Sequence, residues 1–286
     1  MLPSATSLPG ERRGYVDGPC GQVHYREQGT GQPIILIHQA PWSSIQYRHA
    51  IPLLAAKGYR VIAPDLPGHG MSNPPSGDPS VELYAEAVAA IINALDLNPV
   101  VVIGHHGGAL VAARLAAEHA DKVGALVTDN MPYYNAAQRI ERLTQLSDVQ
   151  EIKPDGSHFT DRWEVVRRIA DPEWSDETVH LGLVTYFANG PWKEHGHRAA
   201  PAYDPQLDLD RIICPVLVIS SVTDRLFPMG QMIVARKPDW DYAELPGGAG
   251  MVFERSSEWA APILGFIASH AGHLTREVVA DVSQHE

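Results

Sequence analysis

The chain has 286 residues, enough for one large α/β domain with an inserted subdomain, and its 44% hydrophobic and 20% charged content is ordinary for a globular protein. A formal net charge of −12 argues against a nucleic-acid partner, because phosphate binding needs an excess of Lys and Arg. No apolar run approaches the roughly 20 residues of a membrane span, Met1-Leu2-Pro3-Ser4-Ala5 lacks the charged start and apolar core of a signal peptide, and Cys20 and Cys214 stand too far apart to read as a disulfide framework, so a reducing, cytoplasmic setting without a membrane partner is expected.

Residues 23–27 alternate in polarity, which predicts an early, half-exposed antiparallel strand. Ile34-Ile35-Leu36-Ile37 is apolar throughout, as a strand covered on both faces should be. Residues 47–57 read as a helix stopped by Gly58, and 60–63 as the next strand. A loop rich in turn residues follows, Pro64-Asp65-Leu66-Pro67-Gly68-His69-Gly70-Met71-Ser72. Ser80 caps a predicted helix running to Asp96, with Ala85, Val88, Ile91, Ile92 and Leu95 on its apolar face. Val100-Val101-Val102-Ile103 reads as a buried strand that runs straight into Gly104-His105-His106-Gly107-Gly108 and then into a helical stretch, 109–116. Residues 123–127 form another predicted strand, ending at Asp129.

From about 131 to 210 the strand rhythm disappears and aromatics, charges and prolines mix. This stretch is expected to be an inserted, mostly helical cap. The core resumes with a strand at 216–219, a helix at 229–237, a strand at 241–245 and a closing helix at 257–269. Strands alternating with amphipathic helices predict a mainly parallel sheet. The expected organisation is therefore a core of 14–130 and 211–270, a cap of 131–210, and loosely ordered termini at 1–13 and 271–286.

Four signatures in this order resemble the α/β-hydrolase superfamily, especially its capped branch of haloalkane dehalogenases, epoxide hydrolases and C–C bond hydrolases. His38-Gln39-Ala40-Pro41 resembles the His-Gly-x-Pro oxyanion loop. Residues 65–72 are similar to the Asp-x-x-Gly-x-Gly-x-Ser loop. Gly104-His105-His106-Gly107-Gly108 fills the nucleophile elbow, a tight strand-to-helix turn. Asp224, before Arg225-Leu226-Phe227-Pro228, fits the position of the triad acid. The resemblance spans roughly residues 15–268. It implies an α/β fold with a mostly parallel eight-stranded sheet, flanking helices and an inserted helical cap.

The departures from that pattern set the chemistry. The elbow position normally holds Ser, sometimes Cys or Asp; here it holds His106. Aligning Met251-Val252-Phe253 with relatives puts Gly250 where the triad histidine is expected. A serine-hydrolase mechanism needs a hydroxyl, an adjacent base and a carboxylate that orients the base. The first two are missing, and Ser43, Ser44 and Ser220 have no elbow around them. An imidazole, however, titrates near neutral pH and can serve as a general acid or base, or less readily as a nucleophile. The resemblance places oxyanion donors at the backbone N–H of Gly107 and Ala40. Such donors stabilise charge developing next to a carbonyl.

A carboxylate is needed to fix the tautomer of His106. Asp129 and Asp224 are the candidates, and Asp129 is favoured because its strand should neighbour the elbow strand. His38, Gln39, Trp42, Tyr186 and Trp192 are the candidate substrate-binding residues, the aromatics suiting an apolar pocket. His38 and His69 also read as braces of their loops, and His105 as a packing residue behind the elbow. His195-Gly196-His197 lacks a third ligand of suitable spacing, so no metal site is expected. No dinucleotide fingerprint or Walker lysine is present, so no cofactor is expected. The reading is an enzyme of lyase, decarboxylase, cyclase or hydrolase type. It acts on a small, apolar carbonyl compound, with a homodimer compatible. The alternative is a catalytically silent protein that binds a small molecule.

Overall fold

The computed structural model describes residues 9–145, 151–190 and 195–274. Its sheet has eight strands in the order β1-β2-β4-β3-β5-β6-β7-β8. The strands are β1 (Arg12–Gly18), β2 (Gly21–Gln28), β3 (Pro33–Ile37), β4 (Arg60–Pro64), β5 (Val100–His105), β6 (Val123–Asp129), β7 (Val216–Ser221) and β8 (Asp241–Leu245). β1 and β2 pair antiparallel, as do β2 and β4; every other pairing is parallel. The mostly parallel α/β sheet implied by the resemblance is the one observed.

The apolar strands are buried along their whole length because helices cover both faces. On one face α2 (Val81–Ala94) and α3 (Gly107–Glu118) pack over β3, β5 and β6, with Val88, Ile91, Leu110 and Val111 fully buried. On the other face α1 (Ala50–Ala55) and the closing helix α11 (Ser256–Ser269) bury Ile51, Leu54, Trp259 and Ile263 against Ile34, Val101 and Val127. Between β6 and β7 the described residues form helices and no strand: α4 (Ala136–Gln145), α5 (Ser157–Ile169), α6 (Asp176–Ala188), α7 (His195–Ala202) and α8 (Gln206–Leu209). After β7 come α9 (Phe227–Arg236) and, following β8, α10 (Met251–Glu254).

Three boundaries differ from expectation. β1 starts at Arg12, inside the stretch expected to be loose, because its residues pair with Glu27 to Gly21 along the whole of β2. Residues Ala271–Leu274 form a short 3-10 helix, anchored by the buried Leu274. The helix expected at 47–57 divides into a 3-10 turn at Ser44–Tyr47 and the shorter α1. The expected cap falls on α4–α8.

Candidate active site

Parallel β5 delivers the chain to the centre of the sheet, and α3 must start at once if its apolar face is to reach the core. The turn between them is therefore sharp. His106 sits at its apex with φ 48° and ψ −120°, a sparsely populated conformation for a residue with a side chain. Two glycines make the turn possible. A Cβ on Gly104 would lie 2.2 Å from the carbonyl oxygen of Gly108, and one on Gly108 would lie 2.2 Å from that of Ile37. His106 N–H donates to the Asp129 carbonyl (2.9 Å), which ties the apex to β6.

The two adjacent histidines find different carboxylates. His106 Nε2 lies 2.8 Å from Asp224 Oδ2, across 118 residues of sequence. His105 Nδ1 lies 2.7 Å from Asp129 Oδ2. The expectation that Asp129 would hold His106 is thus corrected, and the register explains it. His105 is directly opposite Asp129 in the β5–β6 ladder, so their side chains leave the sheet on the same face. Asp129 is then used up. Its Oδ2 also accepts from Trp259 Nε1 (2.8 Å) and its Oδ1 from Asn130 Nδ2 (2.9 Å). His106 lies one residue beyond the strand and faces the turn after β7, where Asp224 waits. Asp224 Oδ1 accepts from Leu226 N–H (2.7 Å), which fixes the carboxylate.

Burial opposes ionisation of Asp224, but the neighbouring His106 and the Leu226 amide hold its pKa down to about 2. Burial also lowers the pKa of His106; the Asp224 charge works against this, and His105 adds to the lowering. His106 is therefore neutral at neutral pH. An ionised carboxylate can only accept, so the ring proton resides on Nε2 and Nδ1 keeps its lone pair. Nδ1 has no hydrogen-bond partner among the described residues, and the side chain retains 12% of its exposure. The rings of His105 and His106 stack, with centroids 4.4 Å apart and planes 21° apart.

His106 and Asp224 stand in the wall of a cavity of about 300 Å³. Gln39, Ala40 and Trp42 form its core side, and Tyr186 on α6 its helical side. The Arg162 guanidinium lies 4.0 Å above the Tyr186 ring. Trp42 packs edge-on to Trp174 and against Phe253. Ala40 is held at its carbonyl by His197 Nε2 (3.1 Å), and the loop around it by Gln39 N–H on Gln46 Oε1 (3.0 Å) and Asn189 Nδ2 on the Pro41 carbonyl (2.7 Å). Gly107 opens α3, so its N–H has no carbonyl one turn back to bind.

Of the two roles expected of His38, substrate wall and loop brace, it takes the second. It is fully buried, its Nδ1–H donates to the Gln39 carbonyl (2.9 Å) and its Nε2 accepts from Leu66 N–H (3.0 Å). Nδ1 thus braces its own loop and Nε2 joins it to the loop of Leu66, which occupies both ring nitrogens. Burial holds the pKa of His69 down to about 3, and its Nδ1–H donates to the Pro67 carbonyl (3.2 Å). Trp192 falls outside the described residues, as does the side chain of His195. Ser44 Oγ accepts from Arg26 Nε (2.8 Å), and neither Ser43, Ser44 nor Ser220 reaches the cavity wall.

The place expected for a triad histidine is filled. A Cβ on Gly250 would lie 2.7 Å from Trp174 Cδ1. The Gly250 N–H donates to Asp171 Oδ2 (3.3 Å). Sequence reading missed Trp174, Asp171, Arg162 and Arg225 as wall residues. Only Arg225 carried a signal, its place next to Asp224; Arg162 lies on α5, and Asp171 and Trp174 in the loop between α5 and α6, whose packing no local pattern fixes.

Residues 32–237 match a family described as "alpha/beta hydrolase fold". Among curated proteins, a haloalkane dehalogenase of Mycobacterium marinum is 40% identical over 118 residues, 40% of each chain. An epoxide hydrolase of Caballeronia sordidicola is 28% identical over 175 residues, 59% of this chain and 50% of that one. The matches thus span half or less of these relatives' lengths. Among solved structures, a bromoperoxidase from Bacillus anthracis superposes with a TM-score of 0.76 at 19% identity, covering 90% of this chain and 100% of the other. An epoxide hydrolase from Vigna radiata gives 0.74 at 19% identity, over 92% and 99%. At such identities the structural likeness concerns the fold.

Proposed function

The chain belongs to the α/β-hydrolase fold family, and from that premise we propose that it is a hydrolase in which His106 moves a proton where a relative would attack with an elbow nucleophile. The observation that carries this reading is the 2.8 Å contact between His106 Nε2 and Asp224 Oδ2 in the wall of the cavity. The similarity to a haloalkane dehalogenase and an epoxide hydrolase supports a small-molecule substrate. The aromatic wall suits a largely apolar one, and the N–H groups of Gly107 and Ala40, the oxyanion donors that the resemblance implies, suit a carbonyl.

The steps follow from the tautomer. With Nε2–H donated to Asp224, Nδ1 takes a proton from water, and the resulting hydroxide adds to the carbonyl carbon. The carbonyl oxygen gains the negative charge, and the Gly107 and Ala40 amides stabilise it. As the tetrahedral centre collapses, Nδ1–H returns the proton to the leaving atom. Asp224 stays ionised throughout and stabilises the transient imidazolium, a role equivalent to that of a triad acid. The same shuttle serves lysis of a bond next to a carbonyl when the proton is delivered to carbon.

The test is turnover of a panel of small esters, lactones and 1,3-diketones by the wild type, His106→Ala and His106→Ser. We expect turnover by the wild type alone, and no labelling of it by a fluorophosphonate probe. Equal turnover by folded His106→Ala, or stoichiometric labelling, contradicts the proposal.

A further inference from the structure

We propose that the substrate bears a carboxylate at the end remote from its reacting carbonyl, and that Arg225 receives it. This inference rests on reading the cavity as the active site. Arg225 follows Asp224 in the turn between β7 and α9, and its side chain lines the same cavity as His106. It is exposed and makes no hydrogen bond or ion pair among the described residues. Asp224, its sequence neighbour, forms no ion pair with it; its carboxylate is turned to His106 and to Leu226 N–H.

The rest of the wall points the same way. Asp171 is the other carboxylate there, and its oxygens accept from Glu173 N–H (3.0 Å) and Gly250 N–H (3.3 Å). Arg162, on α5, adds a second guanidinium to the lining, stacked on Tyr186. A cavity with an aromatic body and an unpaired guanidinium fork at Arg225 complements an apolar molecule with an anionic end. Arg225 is also one of the charges that depress the basicity of His106. A carboxylate bound to Arg225 offsets that charge, so the correct substrate strengthens the base that acts on it.

The experiment compares 4-oxo-4-phenylbutanoate with its neutral primary amide, reading binding from quenching of Trp42 and Trp174 fluorescence. The proteins are the wild type, Arg225→Gln, Arg225→Lys and His106→Ala. The acid should bind wild type and His106→Ala about tenfold more tightly than the amide. Arg225→Gln should erase that preference by weakening the acid alone, Arg225→Lys should keep part of it, and added salt should reduce it in the wild type. Equal binding of acid and amide by the wild type, no binding of the acid, or an undiminished preference in Arg225→Gln overturns the inference. Loss of turnover in every assay with the acid preference intact would sink the role of His106 and leave Arg225 standing. Turnover of neutral carbonyl compounds without an acid preference would do the reverse.

Discussion

His105 and His106 are neighbours with the same side chain and equally close carboxylates, yet one is locked and the other is poised. His105 and Asp129 are each 1% exposed, and Asp129 is further bound by Trp259 and Asn130. That pair ties β5, β6 and α11 together. His106 opens onto the cavity and leaves Nδ1 unengaged among the described residues. The difference teaches that a histidine–carboxylate contact does not by itself make a catalytic pair. What separates the two is one residue of strand register, which sends one ring into the interior and the other to the strained apex.

The comparison is broken most severely at the apex itself. His106→Ala should lower kcat/KM by about 10³–10⁴, with the unfolding midpoint in urea lowered only slightly, since Ala keeps a Cβ at the positive-φ apex and Asp224 keeps its Leu226 N–H partner while losing His106. Asp224→Asn should lower it by about 10²–10³, because the amide can donate to Nε2 and turn the reactive tautomer around. Asp129→Asn should invert that pattern. It should keep the rate within about tenfold yet destabilise the fold by about 3 kcal/mol, measured by equilibrium unfolding, since it disturbs a buried network of three donors.

A third pair sharpens the contrast. His24 Nδ1 lies 2.8 Å from Asp65 Oδ2, both buried, and Asp65 also accepts from Ser44 N–H (2.7 Å) and Met71 N–H (2.9 Å). Burial opposes the Asp65 charge, but His24 and Ser44 hold its pKa down to about 2. The folded value lies below the ordinary one, so the stabilisation is fully present above about pH 3.9 and is lost as pH falls through about 2. Asp65→Asn should cost about 2 kcal/mol at neutral pH, with that deficit shrinking in acid. For His106 the lowered pKa sets activity instead. The acid limb of kcat/KM should fall below the ordinary histidine value of about 6.5, and a limb above it would contradict the neutral base.

Much of this was legible in the sequence. The strand, glycines and helix around His106 announce the elbow because the sterics of the turn demand those residues. The 65–72 loop was legible for the same reason, since turn chemistry is local. The partner of His106 was not. Choosing between Asp129 and Asp224 required the β5–β6 register, and nothing in either strand prints which residue faces which. His38 was legible as a loop brace, but not its partner Leu66, which lies 28 residues away and is met only in the folded chain. The helical insertion was legible as a change of rhythm. Its wall residues were not, since Arg162, Asp171 and Trp174 reach the cavity only through the packing of α5 and α6 over the core.

His106 turns Nδ1 to the cavity while its Nε2–H binds Asp224. Long-range ¹H–¹⁵N NMR of the wild type at neutral pH reads this directly. A neutral His106 ring with its proton on Nε2 is expected, converting to the Nδ1–H form or a mixture in Asp224→Asn. A proton fixed on Nδ1, or a doubly protonated ring at neutral pH, would contradict it.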